Sequence, residues 1–446
     1  MYYNQEGDFR GSARGASCGV NGCRTRLRPA NRVPRIYTCD HGGLETHTEV
    51  QSHTAPAATT PVEISRKGAE RLASGHPWIF RSDVVSTNDA GAGETVHVLD
   101  PRGRFLGQAH YSTSSQIAMR MLSRTPEKVD LAARIAAAER YRSEVVRDSN
   151  AYRLVHAEAD FLPALIIDRY ADCFVVQALD QGMDRAMPEI IAALETQFSP
   201  RAIVARNDAP VRSLEQLPRE VKMVSGEINE PVAISMNGFR LEADLVKGQK
   251  TGVFLDQREN YLAAARYALQ HAKGGRALDC FTSTGGFALH LARTCESVEA
   301  VDSSAAALAT ARHNAAANGL SNIAFREADV FDLLSAYASS RKNYDAIVLD
   351  PPALAKSRSQ LDAAARGYKD INLRALRLLG PGGILITCSC SHHVSEAMLL
   401  EIVAEASLHS GRTLRVLERR TQAQDHPILL TVPETLYLKC VVLQVT

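Results

Sequence analysis

Two cysteines at the end of an apolar run are the first candidates for chemistry. The run covers residues 383–390, and its last residues belong to the sequence Thr-Cys-Ser-Cys-Ser. In this sequence one residue separates Cys388 from Cys390. A cysteine at the carboxyl end of a strand is well placed for nucleophilic catalysis. Asp350 follows an earlier apolar run and could hydrogen-bond a bound base and stabilise charge during the attack. The alternative is that both cysteines are core residues, because free cysteine is usually buried.

A thiol nucleophile would solve a specific chemical problem. C5 of a pyrimidine is not nucleophilic enough to attack a sulfonium methyl group. When a thiolate adds to C6, C5 becomes enamine-like and can accept the methyl group, after which the C5 proton leaves and the thiol is eliminated. The thiol needs a lowered pKa for this reaction, and a nearby dipole or cation could lower it.

A glycine-rich turn and a series of aspartates indicate a cofactor site. Residues 279–287 read Asp-Cys-Phe-Thr-Ser-Thr-Gly-Gly-Phe, and such a turn lets the backbone approach a ligand closely. Acidic residues then close successive predicted strands, and Asp302 could accept two ribose hydroxyls. This order resembles the S-adenosylmethionine-dependent methyltransferases of the Rossmann-like class. The resemblance implies cofactor contacts from Asp279, Thr284, Gly285, Gly286, Asp302, Asp329, Asp350 and Pro351.

Two features of this cofactor site have an alternative interpretation. Each aspartate could instead be a helix N-cap or a turn former. The polar segment 248–258 is expected to cover the other side of the cofactor, but it could also be a turn that caps the next helix. The cofactor contacts predicted in this segment are Phe254, Asp256, Gln257 and Arg258.

The elements that must position these residues alternate between strands and helices beyond residue 239. Strands are predicted at 276–281, 297–302, 323–329, 344–350 and 383–390. Helices are predicted at 285–293, 305–318, 362–379 and 396–410. This alternation predicts an α/β fold with a doubly wound parallel sheet, in which ligands bind at the carboxyl ends of the strands.

The preceding residues predict two smaller domains and an extension. Residues 62–126 hold short β-type runs that are broken by glycine-rich turns, which favours a small β-barrel. Residues 127–238 predict an α+β domain with helices at 127–146 and 187–198, a hairpin around 169–172 and a strand at 202–206. Residues 1–61 predict a disordered extension, because they lack apolar periodicity. Alternatively, four of its side chains could hold zinc, namely Cys18, Cys23, Cys39 and His41.

The composition excludes several classes of protein. The 446 residues include 51 Lys and Arg against 50 Asp and Glu, which gives a net charge of +1 and rules out a polycation. The sequence lacks the run of about 20 apolar residues that a membrane span needs, so no membrane partner is expected. Nine cysteines are too few for a disulfide scaffold, and a reducing cytoplasm is therefore the expected location.

A more specific resemblance rests on seven motifs that lie in the same order. They are KTGVFLDQR, LDCFTSTGGF, LDPPALAKS, RGYKDIN, TCSCS, DHP and ETLYLK. These motifs resemble the bacterial 23S rRNA cytosine-5 methyltransferases of the large-subunit methyltransferase I type, over residues 62–446. The resemblance implies a PUA domain at 62–126, an EEHEAD-type domain at 127–238 and a methyltransferase domain at 239–446. It also implies S-adenosyl-L-methionine as cofactor, 23S rRNA as substrate, no metal, and Cys390 as the nucleophile with Cys388 as the alternative.

The resemblance also implies contacts with RNA. PUA modules are small β-barrels that hold structured RNA, and their cations could contact phosphates without reading sequence. The candidates in this domain are Arg66, Lys67, Arg71 and Arg81, which could alternatively be a solvated rim. Relatives often carry a basic residue after the Asp-Pro-Pro sequence, where this chain has Ala353, and Lys356 could supply that charge. His392 and His393 also depart from the family pattern and are expected in a solvated turn.

Two other functions fit part of this pattern. A methyltransferase that acts on an exocyclic amine needs no thiol, but it usually stacks its base on an aromatic residue, where this chain has Ala353 and Leu354. An inactive RNA-binding assembly factor would keep the fold. Four intact residues argue against it, namely Asp302, Asp329, Asp350 and Cys390. The target cytosine and the oligomeric state stay open, with a homodimer as one option.

Overall fold

The computed structural model of the protein describes residues 59–248, 253–271, 275–340 and 342–446. Except for positions 59–61, the predicted extension lies outside the described residues, as do the four candidate zinc ligands. No helix among the described residues is long and apolar enough to cross a membrane.

The first domain is a six-stranded sheet with one short helix. Its elements are β1 (Pro61–Ile64), α1 (Arg66–Ala73), β2 (Trp78–Phe80), β3 (Val84–Ser86), β4 (Thr95–Leu99), β5 (Phe105–Tyr111) and β6 (Ile117–Ser123). The strand order is β2-β6-β5-β4-β1-β3. The sequence predicted β-type runs at β2, β4, β5 and β6 but not the short strands β1 and β3. It also did not predict α1, because this eight-residue helix has Leu72 as its one large buried side chain. The helix begins after Ser65, whose hydroxyl accepts a hydrogen bond from the backbone N–H of Gly68.

The second domain is a five-stranded sheet covered by helices. Its elements are α2 (Leu131–Val145), β7 (Ala151–His156), β8 (Leu165–Tyr170), β9 (Cys173–Ala178), α3 (Gln181–Arg185), α4 (Met187–Phe198), β10 (Ala202–Asn207) and β11 (Glu220–Gly226). The strand order is β11-β10-β9-β8-β7. The predicted hairpin is confirmed, since Tyr170 and Cys173 are partners across β8 and β9. Helix α2 begins four residues later than predicted because Asp130 caps it, accepting a hydrogen bond from the N–H of Ala133.

The third domain begins with a hairpin and a helix. The hairpin consists of β12 (Val232–Met236) and β13 (Phe239–Ala243), so the predicted domain boundary at 238/239 falls within its turn. Helix α5 (Arg258–His271) follows after a short 3-10 turn at Leu255–Gln257.

A seven-stranded sheet forms the centre of this domain. Its strands are β14 (Arg276–Cys280), β15 (Ser297–Asp302), β16 (Ile323–Glu327), β17 (Tyr344–Leu349), β18 (Leu379–Ser389), β19 (Leu414–Arg420) and β20 (Lys439–Val445). The helices between them are α6 (Gly286–Ala292), α7 (Ala305–Ala317), α8 (Val330–Ser340), α9 (Leu361–Leu378) and α10 (Glu396–Ser410). The order is β16-β15-β14-β17-β18-β20-β19. The five predicted strands are confirmed as parallel, but β20 runs antiparallel to both of its neighbours, so the sheet is mixed.

The register of the parallel strands brings their carboxyl ends to one edge. Val301, Cys280, Leu349 and Thr387 lie in one row across β15, β14, β17 and β18. The residues that follow this row therefore share one edge of the sheet, although those after β14 and those after β18 are more than 100 positions apart in the chain. Apolar helices cover both faces of the sheet, so the strand ends are the part of it that can accept a ligand.

Candidate active site

The thiol of Cys390 lies beside the loop that follows β17. Asp350 comes directly after this strand, and the Cys390 Sγ atom is 3.8 Å from the backbone carbonyl oxygen of Pro351. The side chain of Cys390 is partly exposed. Cys388, in contrast, is fully buried and faces Cys440 across β18 and β20, and burial raises the pKa of its thiol well above the usual value. Of the two candidates, Cys390 is therefore the one that a substrate can reach.

Hydrogen bonds from helix α9 hold the turn that carries this thiol. The Ser389 hydroxyl donates to the Tyr368 phenol oxygen at 2.9 Å, and that phenol lies 3.0 Å from the Ser391 hydroxyl. The Ser391 hydroxyl also accepts from the backbone N–H of Ala355 at 3.1 Å. These three bonds connect α9, the loop after β17 and the end of β18. Each residue beside Cys390 therefore has a fixed partner, and the position of the sulfur is set by its neighbours.

A buried lysine on β20 reaches the same turn and was missed by the sequence analysis. The Lys439 ammonium donates to the carbonyl oxygens of Ser391 at 2.7 Å and Tyr437 at 2.9 Å, and the side chain is almost completely buried. Burial lowers the pKa of Lys439 to about 8, while the nearby Cys390 acts in the opposite direction. The sequence feature that could have indicated it is a single cation at the first position of the mainly apolar strand Lys439–Val445.

The glycine-rich turn after β14 has the backbone shape that the sequence predicted. Gly285 has a φ of 94°, in the left-handed region that favours glycine, and Gly286 begins α6. The Asp302 carboxylate accepts hydrogen bonds from the N–H groups of Ser283 at 2.8 Å and Ser304 at 2.9 Å. Asp302 therefore holds the turn against the end of β15, which is the structural role foreseen as the alternative. A ribose contact from its remaining acceptor capacity stays a prediction.

Gly286 lets helix α6 approach the ring of Tyr261 on α5. A Cβ atom at position 286 would lie 2.4 Å from Cζ of that ring, so alanine cannot fit unless the helix or the ring moves. The Tyr261 hydroxyl donates to the carbonyl oxygen of Phe254 at 3.3 Å, which connects the ring to the predicted cofactor segment. The close approach therefore fixes the first turn of α6 relative to that segment.

We predict that Gly286→Ala weakens cofactor binding about 10-fold or more, because overpacking of this kind displaces the start of α6 at an energetic cost of about 1–3 kcal/mol. Calorimetric titration with S-adenosylmethionine measures the effect. Gly380→Ala is the matched control, since nothing lies within 4 Å of a Cβ atom there. Equal affinity of the two variants would show that the approach of α6 to Tyr261 is unimportant for the cofactor.

Buried carboxylates make this edge of the sheet acidic. Asp279 is fully buried, and its Oδ2 atom accepts a hydrogen bond from the Thr282 hydroxyl at 2.6 Å. Burial raises the pKa of Asp279 to about 7, and the neighbouring Asp350 adds to this effect. The Oδ1 atom of Asp279 has no hydrogen-bond partner among the described residues. A buried oxygen of this kind fits a ligand with an N–H donor or a positive charge.

The segment before α5 is held mainly by contacts within the protein. The Asp256 carboxylate accepts from the Tyr437 hydroxyl at 2.9 Å, and the Gln257 side-chain oxygen accepts from Asn260 at 2.7 Å. Positions 249–252 of the segment lie outside the described residues. The cofactor contacts of Phe254, Asp256 and Gln257 remain predictions.

Arg258 has a structural partner within the protein, and its predicted cofactor contact stays a prediction. Its guanidinium donates to the Asp425 carboxylate at 3.0 Å, and both side chains are buried away from solvent. Burial opposes ionisation of Asp425, but His426 and Arg258 together hold its pKa at about 2. Arg258 therefore links the start of α5 to the Asp-His-Pro motif. Because Arg258 and Asp425 are 167 positions apart, this pairing could not be inferred from the sequence.

We predict that Arg258→Met lowers the free energy of unfolding by about 3–5 kcal/mol, because Asp425 would be left as a buried charge without its arginine. Urea denaturation measures this change. Arg266→Met is the control, because Arg266 is half exposed where it pairs with Glu418, and it should lose less than about 1 kcal/mol. A loss at Arg258 no larger than the loss at Arg266 would contradict a structural role for the buried pair.

Asp329 caps a helix, which is the alternative role that the sequence suggested for each aspartate. Its side chain is exposed and accepts a hydrogen bond from the N–H of Asp332 at 3.1 Å in the first turn of α8. It is thus a helix cap, and a cofactor contact from this residue stays a prediction.

Two of the predicted RNA contacts are used inside the first domain. Arg71 pairs with the buried Asp83, and its guanidinium lies 4.6 Å from the centre of the Phe80 ring. Arg81 donates to the carbonyl oxygens of Ser112 at 2.7 Å and Ser115 at 2.8 Å. Both guanidinium groups therefore have partners within the domain, and a further contact of either with RNA stays a prediction. Three exposed cations remain as candidates for phosphate contacts, namely Arg66, Lys67 and Lys356.

Comparison with known proteins identifies the class to which this fold and site belong. A family model described as a PUA-like domain matches residues 62–124, and a model described as an S-adenosylmethionine-dependent methyltransferase matches residues 212–431. The solved structure of SMU.776 complexed with SAH has a TM-score of 0.74 at 20% identity and covers 86% of this chain and 100% of its own, which supports the same fold. The chain is an S-adenosylmethionine-dependent methyltransferase with a PUA-like domain.

Two relatives identify the family. The ribosomal RNA large subunit methyltransferase I of Shewanella denitrificans is 42% identical over 393 residues, which cover 85% of this chain and 98% of that protein. The protein of the same name from Shewanella amazonensis is 43% identical over 381 residues, which cover 83% of this chain and 95% of that protein. The chain belongs to the ribosomal RNA large subunit methyltransferase I family.

Proposed function

We propose that this protein methylates C5 of a cytosine in 23S rRNA through a covalent bond between Cys390 and C6 of the base. The observation that carries the proposal is the position of a partly exposed thiol 3.8 Å from the Pro351 carbonyl, beside Asp350 at the carboxyl edge of the sheet. A methyl transfer to an exocyclic nitrogen would need the carboxylate but would give the thiol no role.

The residues around the glycine-rich turn are suited to hold the cofactor. S-adenosylmethionine supplies a methyl group on a positively charged sulfonium when it is bound. The unpartnered Oδ1 atom of Asp279 and the acidic surroundings of Tyr261 favour a cationic ligand. Asp302 and the first turn of α6 line the same edge of the sheet and offer a carboxylate and backbone N–H groups.

Cys390 is the nucleophile in the proposed reaction, and Asp350 binds the base. The Cys390 thiolate adds to C6, and the electron pair of the C5–C6 double bond moves towards C5. C5 would then form the new bond to the methyl carbon as the bond from this carbon to the sulfonium sulfur breaks, with its electron pair left on that sulfur. The C5 proton then leaves to a base, and the electron pair of its C–H bond restores the double bond as the sulfur departs from C6. Asp350, as the protonated carboxyl group, holds the N3 and N4 edge of the base and moves its proton towards N3, which offsets the negative charge that develops there.

The proposed substrate rests on the relatives and on the first domain. The relatives are named for ribosomal RNA, and a PUA-like domain is present at residues 62–124. Exposed cations on α1 could contact phosphates, since Arg66 and Lys67 both project from this helix. Lys356, six residues after Asp350, could contact a phosphate near the target base.

Mapping of the modified nucleoside tests this function. The protein would be incubated with labelled S-adenosylmethionine and rRNA from a strain that lacks the gene, and the nucleosides would be separated by mass spectrometry. The proposal predicts 5-methylcytidine from 23S rRNA. N4-methylcytidine, a methylated purine, or no transfer to naked or assembled 23S rRNA would contradict it.

A further inference from the structure

We propose that Lys439 is a positioning residue that favours the thiolate form of Cys390. This inference rests on the proposed role of Cys390 as the nucleophile. The Lys439 ammonium is bound to the carbonyl oxygen of Ser391, the residue directly after Cys390, at 2.7 Å. It is therefore fixed to the same turn as the sulfur, and it enters that turn from the antiparallel strand β20.

Among the described residues, no carboxylate forms an ion pair with the Lys439 ammonium. Its two observed acceptors are the neutral carbonyl oxygens of Ser391 and Tyr437, and the side chain is only 4% exposed. A buried ammonium is unfavourable unless an anion lies nearby. The group beside this turn that can become an anion in the reaction is the Cys390 thiol, and its thiolate form would raise the pKa of Lys439. A thiolate would thus satisfy the lysine, and the lysine would stabilise the thiolate.

The other titratable groups around the thiol do not provide a positive charge. Burial raises the pKa of Tyr368 on α9 to about 12, so this phenol stays neutral. Burial lowers the pKa of His392, so its imidazole is neutral at pH 7. Glu434 and Asp350 are carboxylates, and Glu434 is held 3.3 Å from His76. Of these five groups, Lys439 alone can be cationic at neutral pH.

The pH dependence of Cys390 alkylation tests the inference without RNA. Iodoacetamide would be added to the full-length protein over a range of pH, and modification of the Cys390 peptide would be followed by mass spectrometry. Lys439→Gln keeps a donor for the two carbonyl groups but removes the charge. We expect the midpoint of reactivity to rise by about one pH unit or more, with an about 10-fold slower alkylation at pH 7. Lys356→Gln, which removes an exposed cation, should leave the midpoint unchanged.

An unchanged midpoint in a folded Lys439→Gln variant would overturn the inference. If this variant does not fold, the unmodified protein still decides the matter, because a midpoint at or above the ordinary cysteine value of about 8.5 excludes an activating cation. A midpoint clearly below that value in the unmodified protein supports the inference. Failure of the proposed function is a separate result, since full methyl transfer by Cys390→Ala would exclude the nucleophile without changing the effect of Lys439 on thiol reactivity.

Discussion

Replacement of Cys390 by alanine is expected to slow methyl transfer by at least about 10³-fold, because removal of a nucleophile abolishes the covalent route and leaves only binding and orientation. Cofactor binding should be unchanged, since the thiol contacts the Pro351 carbonyl and not the glycine-rich turn. Single-turnover transfer of a tritiated methyl group to rRNA measures the rate, and calorimetry measures the affinity for S-adenosylmethionine.

Cys388→Ala is the matched control for this experiment. The two cysteines are separated by one residue, but Cys388 is fully buried opposite Cys440 and cannot reach a base. We expect this variant to keep most of its activity. Full activity of the Cys390→Ala variant would show that Cys390 is not the nucleophile. The same conclusion would follow if only the Cys388→Ala variant lost transfer while it remained folded.

Asp350→Asn is expected to reduce turnover by about 10²–10⁴-fold, the range typical of a group that assists proton transfer. The amide keeps the size of the side chain, but it cannot give a proton to N3 of the base, which the proposed role requires. The rate under saturating cofactor and RNA measures the effect, and the affinity for S-adenosylmethionine should change far less than the rate.

Asp130→Asn provides the comparison, because this exposed aspartate caps α2 and its amide can still accept the same hydrogen bond. Turnover of this variant should remain within a few-fold of the unmodified enzyme, on the general expectation for a surface cap. If both variants lost activity equally, Asp350 would have no special part in the reaction.

The sheet, and the position of Asp350 and Cys390 at its carboxyl edge, could be predicted because their signals are local. Strands β17 and β18 contain apolar runs that end in polar residues, and their register brings Asp350 and Cys390 to the same edge. The turn at Gly285 could be predicted for the same reason, since its left-handed backbone requires a glycine. The antiparallel strand β20 could not be placed, because an apolar run of this length does not specify its direction.

The contacts that could not be inferred from the sequence involve partners distant in the chain. Arg258 was assigned to the cofactor from its polar segment, but Asp425 holds it from the other end of the domain. Arg71 and Arg81 were assigned to RNA, but Asp83 and backbone carbonyls bind them within the first domain. Lys439 was not singled out because its burial beside Ser391 arises only when β20 joins the sheet. A charged residue therefore shows its role only after the pairing of distant elements is known.

Covalent trapping on a modified RNA tests the central claim most directly. If 5-fluorocytidine replaces cytidine, fluorine takes the place of the proton that must leave C5, so the bond between sulfur and C6 cannot be released after methyl transfer. With S-adenosylmethionine present, we expect an RNA–protein adduct that survives denaturing electrophoresis and contains the Cys390 peptide, and we expect none with Cys390→Ala. An adduct at another residue, or release of methylated RNA without any adduct, would contradict the account.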